Sequence, residues 1–144
     1  MEALSVKGLC KEYPSFSLKD ISFSVEQGAI MGFIGRNGAG KTTTLKSVAG
    51  IMQFDSGEIL IDGTSIQRDP IGCKKKMAYI PDNPDLYEFM TGMQYLNFAG
   101  DIYAIPAAQR KQRIQELADT FELTGDLNQP ISAYSHGMKQ KLAI

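Results

Sequence analysis

The chain has 144 residues, 43% of them hydrophobic and 22% charged, with a net charge of −1. That length suits one domain with a core of its own, and the composition is that of an ordinary folded protein. Near-neutral charge gives no electrostatic basis for binding nucleic acid or an acidic membrane, no apolar run approaches the ~18 residues of a membrane span, and the N-terminus lacks the basic-then-apolar layout of a secretory signal. Cys10 and Cys73 match no metal spacing and read as free thiols of a reducing compartment, so the cytosol is the expected location.

Residues 4–9 alternate well enough for a strand. Residues 18–25 alternate more strictly, with Ile21, Phe23 and Val25 on one face and Ser22 and Ser24 on the other. Joined through Pro14, the two predict an antiparallel ribbon. Glu26-Gln27-Gly28 then turns the chain into residues 29–34, a continuous apolar run expected to be a buried strand.

Directly after that run come Gly35, Arg36, Asn37, Gly38, Ala39, Gly40, Lys41, Thr42 and Thr43, which fit G-x-x-x-x-G-K-[ST] at every fixed position. The chemistry behind the pattern is the wrapping of a phosphate chain by backbone N–H groups at close range. Glycines clear side chains from that approach and permit the dihedrals of a tight loop. The loop opens a helix over residues 43–49, ending at Gly50, whose unpaired N–H groups and positive dipole end favour an anion. Lys41 supplies charge for the β- and γ-phosphates, and Thr42 a hydroxyl for Mg²⁺. Strand, glycine-rich loop and helix in succession are the context the motif requires.

Further on, Asp55-Ser56-Gly57 predicts a turn, residues 58–61 a strand closed by Asp62-Gly63, and residues 77–80 a second core strand. Lys74-Lys75-Lys76 reads as a solvated helix end rather than a binding patch. Residues 81–85, with Pro81 and Pro84, break regular structure. Beyond them the character is helical. Thr91 is an expected cap, Pro106 suits the first turn of another helix, and Ile114, Leu117, Ala118 and Phe121 fall on one face of it. Arg110, Lys111 and Arg113 are expected on its wet side. Thr124-Gly125-Asp126 ends that helix, and Asn128-Gln129-Pro130 marks another turn. Ser135 is placed to cap a last amphipathic helix, and His136, the only histidine, is expected at the surface.

The loop at 35–43, taken with Tyr134-Ser135-His136-Gly137-Met138, resembles the ATP-binding cassette family of nucleotide-binding domains, and the likeness covers the whole chain. The resemblance implies an α/β fold: a P-loop NTPase core with an N-terminal antiparallel β ribbon (residues 1–84) and a C-terminal helical subdomain ending at the signature motif (85–144). It implies that Tyr13 stacks on adenine, that residues 35–43 are the family's Walker A, and that Ser135 and Gly137 belong to the signature that caps the γ-phosphate held by a second subunit. The run from Gly137 to Lys141 is similar to the variant of bacterial exporters. ATP, Mg²⁺, a second nucleotide-binding subunit and a membrane-spanning permease are the partners implied, with no nucleic acid. The protein would be cytoplasmic, held at the inner face of the membrane by that permease. Residues 85–90 are the expected docking surface for it.

Three departures from the family pattern stand out. Asp82 occupies the place of the Q-loop glutamine and would approach Mg²⁺ or a catalytic water with a shorter, charged side chain. His136 and Met138 replace a glycine and a glutamine of the signature. The residues with which the family activates water follow the signature, past Ile144, so the chain is expected to be the N-terminal part of a larger ATPase and not to hydrolyse ATP by itself. The alternatives are an ATPase of the same family in DNA repair or translation, against which the charge argues, and a nucleotide-binding fragment without catalysis.

Overall fold

Strands β1 (Glu2–Tyr13) and β2 (Phe16–Glu26) pair antiparallel along their whole length across the turn at Pro14 and Ser15. Their alternation is not perfect: Val6 and Leu9 are both buried, as are Leu18 and, in part, Ile21, at odd spacings that a flat strand would send to opposite faces. Bulges resolve this. Between the pairs Val6↔Phe23 and Leu9↔Ile21 the extra residue lies in β1, at Lys7-Gly8; between Leu9↔Ile21 and Lys11↔Leu18 it lies in β2, at Lys19-Asp20. The backbone N–H groups that the bulges free find side chains: Gly8 N–H donates to Ser22 Oγ at 2.9 Å and Asp20 N–H to Cys10 Sγ at 3.3 Å. With a further shift between Glu2 and Leu4 the register is reset three times, and the ribbon keeps one apolar face.

The computed structural model describes residues 1–144, which form two compact units, Met1–Tyr79 and Ile80–Ile144. In the first, the ribbon is extended by β3 (Ser56–Ile61) and the short β4 (Thr64–Ser65) into an antiparallel sheet of order β2-β1-β3-β4, with α1 (Lys41–Val48) and α2 (Pro70–Lys74). Its core is Val6, Leu9, Leu18, Ile59, Ile61, Ile66 and Cys73, with Phe16, Ile21, Phe23 and Met77 packed around them. Asp55, just before β3, ties that strand to β1 by accepting from the Glu12 N–H at 2.7 Å and from Lys11 Nζ at 3.2 Å, and these two bonds hold its carboxyl below the usual carboxylate range. Lys74 ends α2 and Lys75 caps it, so the basic run is a helix end as expected.

Two expected strands are absent. Residues 29–34 and 77–80 join no ladder. Ile30 and Ile34 are fully or almost fully exposed at 102% and 95%, and Phe33 packs its ring against Phe23 at 5.4 Å. The residue types are those of a buried strand, but a strand exists only through a neighbour's N–H and C=O groups, and neither run meets such a neighbour in this chain.

The second unit holds α3 (Gly92–Ile102), α4 (Ala107–Thr120), 3-10 turns at Thr124–Asp126 and Ile131–Ala133, and α5 (His136–Ala143). Thr91 caps α3 in a full capping box: Gln94 N–H donates to Thr91 Oγ1 at 3.2 Å, and Thr91 N–H to Gln94 Oε1 at 2.9 Å. Pro106 stands one step earlier than expected, at the N-cap of α4 rather than inside its first turn. Leu86, Ala118, Leu123, Leu127, Ile131, Tyr134 and Leu142 form the core of this unit.

Arg110 does not lie on the wet side of α4. Its guanidinium turns inward, donating to Asn97 O at 3.1 Å and to Ile105 O at 2.8 Å, and pairs with Asp101 at 2.7 Å. Gly100 makes room for it, since a Cβ there would lie 2.4 Å from Arg110 Nε. The planar guanidinium fork thus ties a carbonyl of α3 to one in the link between α3 and α4. Arg110→Ala is expected to destabilise the helical unit by about 2 kcal/mol, with Arg110→Lys recovering only part. Urea denaturation followed by helical circular dichroism measures this, and an unchanged midpoint for Arg110→Ala would reduce the contact to decoration.

Candidate nucleotide-binding loop

Helix α1 starts at Lys41 with Gly40 as its N-cap, at φ 97° and ψ 10°, and with no side chain capping the helix end. The first helical bond runs from Thr44 N–H to Gly40 O at 2.9 Å. The N–H groups of Gly40, Lys41, Thr42 and Thr43 therefore meet no backbone acceptor in the chain, and no acidic residue stands in the first turn. Four aligned donors at the positive end of a helix dipole make an anion cradle. Within the loop, Ala39 N–H closes a turn onto Arg36 O at 3.1 Å. Gly35, Arg36, Asn37, Gly38 and Ala39 are all exposed, so a ligand reaches them from solvent.

Lys41 folds back over the loop. Its Nζ donates to Gly35 O and, at 2.8 Å, to Arg36 O, which holds the cation at the loop. The three consecutive threonines divide their hydroxyls between structure and solvent. Thr44, 1% exposed, donates to Gly40 O at 2.9 Å, and Ser47 likewise bonds Thr43 O. Thr42 is exposed. Its hydroxyl makes no bond within the chain and could give an oxygen to a metal such as Mg²⁺, which keeps several waters and takes few protein ligands. No group of three or more His, Cys, Asp or Glu side chains is gathered to hold a metal without a ligand.

Tyr13 ends β1 half-buried. Its hydroxyl bonds Met52 Sδ at 2.7 Å, its ring lies 6.3 Å from that of Phe16, and Lys11 Nζ stands 5.6 Å from the ring centre. Phe16 and Leu18 lean on the loop itself: a Cβ on Gly40 would come within 2.8 Å of Phe16 Cζ and 2.6 Å of Leu18 Cδ1. Sequence reasoning passed over these two. The strand pattern only began at Leu18 and did not reach Phe16, and the contact of both with Gly40 is a tertiary fact.

In the helical unit Asp82 is exposed, and its carbonyl accepts from Gln140 Nε2 at 3.2 Å. Ser135 caps α5 by accepting from Met138 N–H at 3.2 Å, with His136 and Gly137 exposed beside it. Tyr134, 5% exposed, fills an apolar position in the core. Its hydroxyl donates to Asp126 O at 2.7 Å, and burial pushes its phenol up. Glu88 forms an ion pair with Lys139 of α5. Residues 85–90 do not present one apolar face: Leu86 is buried and Met90 packs beside it, whereas Tyr87 and Phe89 are exposed at 46% and 80%. Tyr87 gathers Phe89, Tyr95 and Phe98 around it at 5.8, 6.3 and 5.5 Å. A cavity of about 390 Å³ lies among α3, α4 and α5, lined by apolar side chains such as Leu96, Ile114, Phe121 and Leu142, and it contains none of the candidate residues.

A family model described as "ABC transporter" matches residues 18–144. The chain is 37% identical over its whole length to the ABC-type transporter ATP-binding protein EcsA of Bacillus subtilis, covering 59% of that protein. It is 35% identical over 98% of its length to the molybdate/tungstate import ATP-binding protein WtpC of Thermococcus kodakarensis, covering 42% of it. It is 32% identical over 98% of its length to the linearmycin resistance ATP-binding protein LnrL of Bacillus subtilis, covering 46% of it. The chain thus spans about half the length of these curated relatives. Among solved structures, an ATP-binding subunit of an ABC transporter superposes with a TM-score of 0.87 at 36% identity, over 98% of this chain and 59% of that one.

Proposed function

The chain belongs to the ABC transporter family, and on that premise we propose that it is the ATP-binding, energy-coupling part of a transporter, gripping MgATP at residues 35–43. The observation that carries this is the start of α1, with four unpaired N–H groups, no competing cap and the Lys41 ammonium held on the same loop. An anion entering the cradle would take the N–H groups and share the Lys41 ammonium, and Thr42 would give an oxygen to the accompanying Mg²⁺. When bound, Mg²⁺ neutralises phosphate charge and orients the chain of phosphates.

The reading divides the chain into a P-loop core at residues 1–84 and a helical part at 85–144. Tyr13 would carry the adenine. Asp82 would face metal or water from the position of the family's glutamine, and Ser135 with Gly137 would cap the γ-phosphate of a second subunit. ATP hydrolysis, the family's chemistry, is proposed for the transporter at work, with closure and reopening of the subunit pair as its output. No helix is long and apolar enough to cross a membrane. We place the protein at the cytoplasmic face, held there by a permease.

Calorimetric titration with MgATP tests the proposal: saturable binding competed by tripolyphosphate supports it, and no heat at millimolar ligand sinks it. For the permease, the exposed Tyr87–Phe89 cluster is the proposed contact. Phe89→Asp puts a charge on that surface without opening a cavity, so it should abolish co-purification with the permease and leave the melting temperature nearly unchanged. Retained co-purification would move the contact elsewhere.

A further inference from the structure

Phe16 touches both halves of the proposed nucleotide site. Its ring centre lies 6.3 Å from that of Tyr13, with 31° between the planes. Its far end closes on the phosphate loop, where a Cβ on Gly40 would come within 2.8 Å of Cζ. The turn is tied to the far end of α1 as well, because the Tyr13 hydroxyl bonds Met52 Sδ and Met52 N–H donates to Lys46 O at 3.2 Å. The Tyr13 turn and helix α1 are thus joined at the helix start through Phe16 and near its end through Met52. Leu18, the other neighbour of Gly40, is 3% exposed and belongs to the core, whereas Phe16 is only half-buried.

We propose that Phe16 is a positioning residue whose ring sets the separation between Tyr13, as platform for a purine base, and the start of α1, as cradle for the phosphates. This rests on the nucleotide reading above. A nucleoside triphosphate engages the two places at once, and the second contact adds to the first only when the protein holds them at the ligand's own spacing. A bare triphosphate uses the cradle alone and is indifferent to that spacing. Phe16 therefore governs how much the base contributes, not how well the phosphates are held.

Titrations of MgATP and of magnesium tripolyphosphate against the parent, Phe16→Ala and Phe16→Leu test this, with circular dichroism to verify folding. Phe16→Ala should weaken ATP by about tenfold, the scale of one lost base–aromatic contact. Tripolyphosphate should stay within about twofold of the parent. Phe16→Leu, which still fills the space beside Gly40, should weaken ATP less and leave tripolyphosphate alone. Equal loss for both ligands would make Phe16 a prop for the loop and overturn the proposal, as would ATP binding that ignores Phe16→Ala. Should Phe16→Ala not fold, Phe16→Leu carries the same comparison, a selective loss of ATP supporting the proposal and an equal or absent loss overturning it. A parent that binds tripolyphosphate as tightly as ATP removes the Tyr13 platform and the proposal with it. A parent that binds neither overturns the nucleotide reading itself.

Discussion

Lys41→Ala is expected to weaken MgATP binding by about 10- to 100-fold and to leave the fold intact. The loss is that of charge-assisted bonds from the ammonium to the phosphates, which are roughly twice as strong as neutral ones. The fold should survive because the ammonium's only partners in the chain are the carbonyls of Gly35 and Arg36, in a loop whose residues are exposed. Water replaces Nζ at such carbonyls, so the stability change should stay below about 1 kcal/mol. Calorimetry with MgATP and a thermal melt measure the two effects separately. On the proposed role of Lys41 at the phosphates, tripolyphosphate should lose as much as ATP, the opposite of the pattern expected for Phe16→Ala. An affinity within about twofold of the parent would mean that the phosphates do not sit at this loop.

Gly40→Ala should have the largest effect on the fold. Two costs add at this residue. The backbone stands at φ 97°, where an L side chain is strained by about 1–2 kcal/mol. The new methyl would also meet Leu18 Cδ1 at 2.6 Å and Phe16 Cζ at 2.8 Å. Leu18 is buried in the core and cannot retreat freely, so crowding adds about 1–3 kcal/mol. A total of about 2–5 kcal/mol is expected, with ATP binding lost as the start of α1 shifts. Gly38→Ala separates the two costs. Its φ is 81°, but a Cβ there would meet nothing within 4 Å, so only the backbone strain applies. Denaturant midpoints should therefore fall in the order parent, Gly38→Ala, Gly40→Ala. Equal shifts for the two variants would show that Phe16 and Leu18 give way without cost.

Much of the chain was legible before its structure, and the legible parts share a property: their physics is local. The loop at 35–43 is built from groups within one short stretch, so its pattern predicted a tight loop and the helix after it, although α1 begins at Lys41 rather than at the expected Thr43. Thr91 and Ser135 cap helices three residues ahead of their partners, and both did so as expected. The ribbon followed from period-two alternation, and the likeness to the ATP-binding cassette family from motifs of the same short range.

Where partners lie far apart in the chain, residue type was a weaker guide. Residues 29–34 and 77–80 have strand composition yet form no ladder, because pairing belongs to two segments and not to one. Arg110 has the charge of a surface residue, but it turns inward to the carbonyls of Asn97 and Ile105 and the carboxylate of Asp101, which come within its reach only once α3 and α4 are packed. Residues 85–90 offered four large apolar side chains, of which packing consumed Leu86 and Met90 and left Tyr87 and Phe89 outside. The sequence by itself determined that a glycine-rich loop opens α1 and which family the chain joins, since both are written in contiguous residues. Tertiary structure alone decided that Thr44 is buried while Thr42 stays exposed, and that Phe16 and Leu18 close on Gly40. Those outcomes depend on which distant groups come to share one space, and spacing along the chain does not encode that.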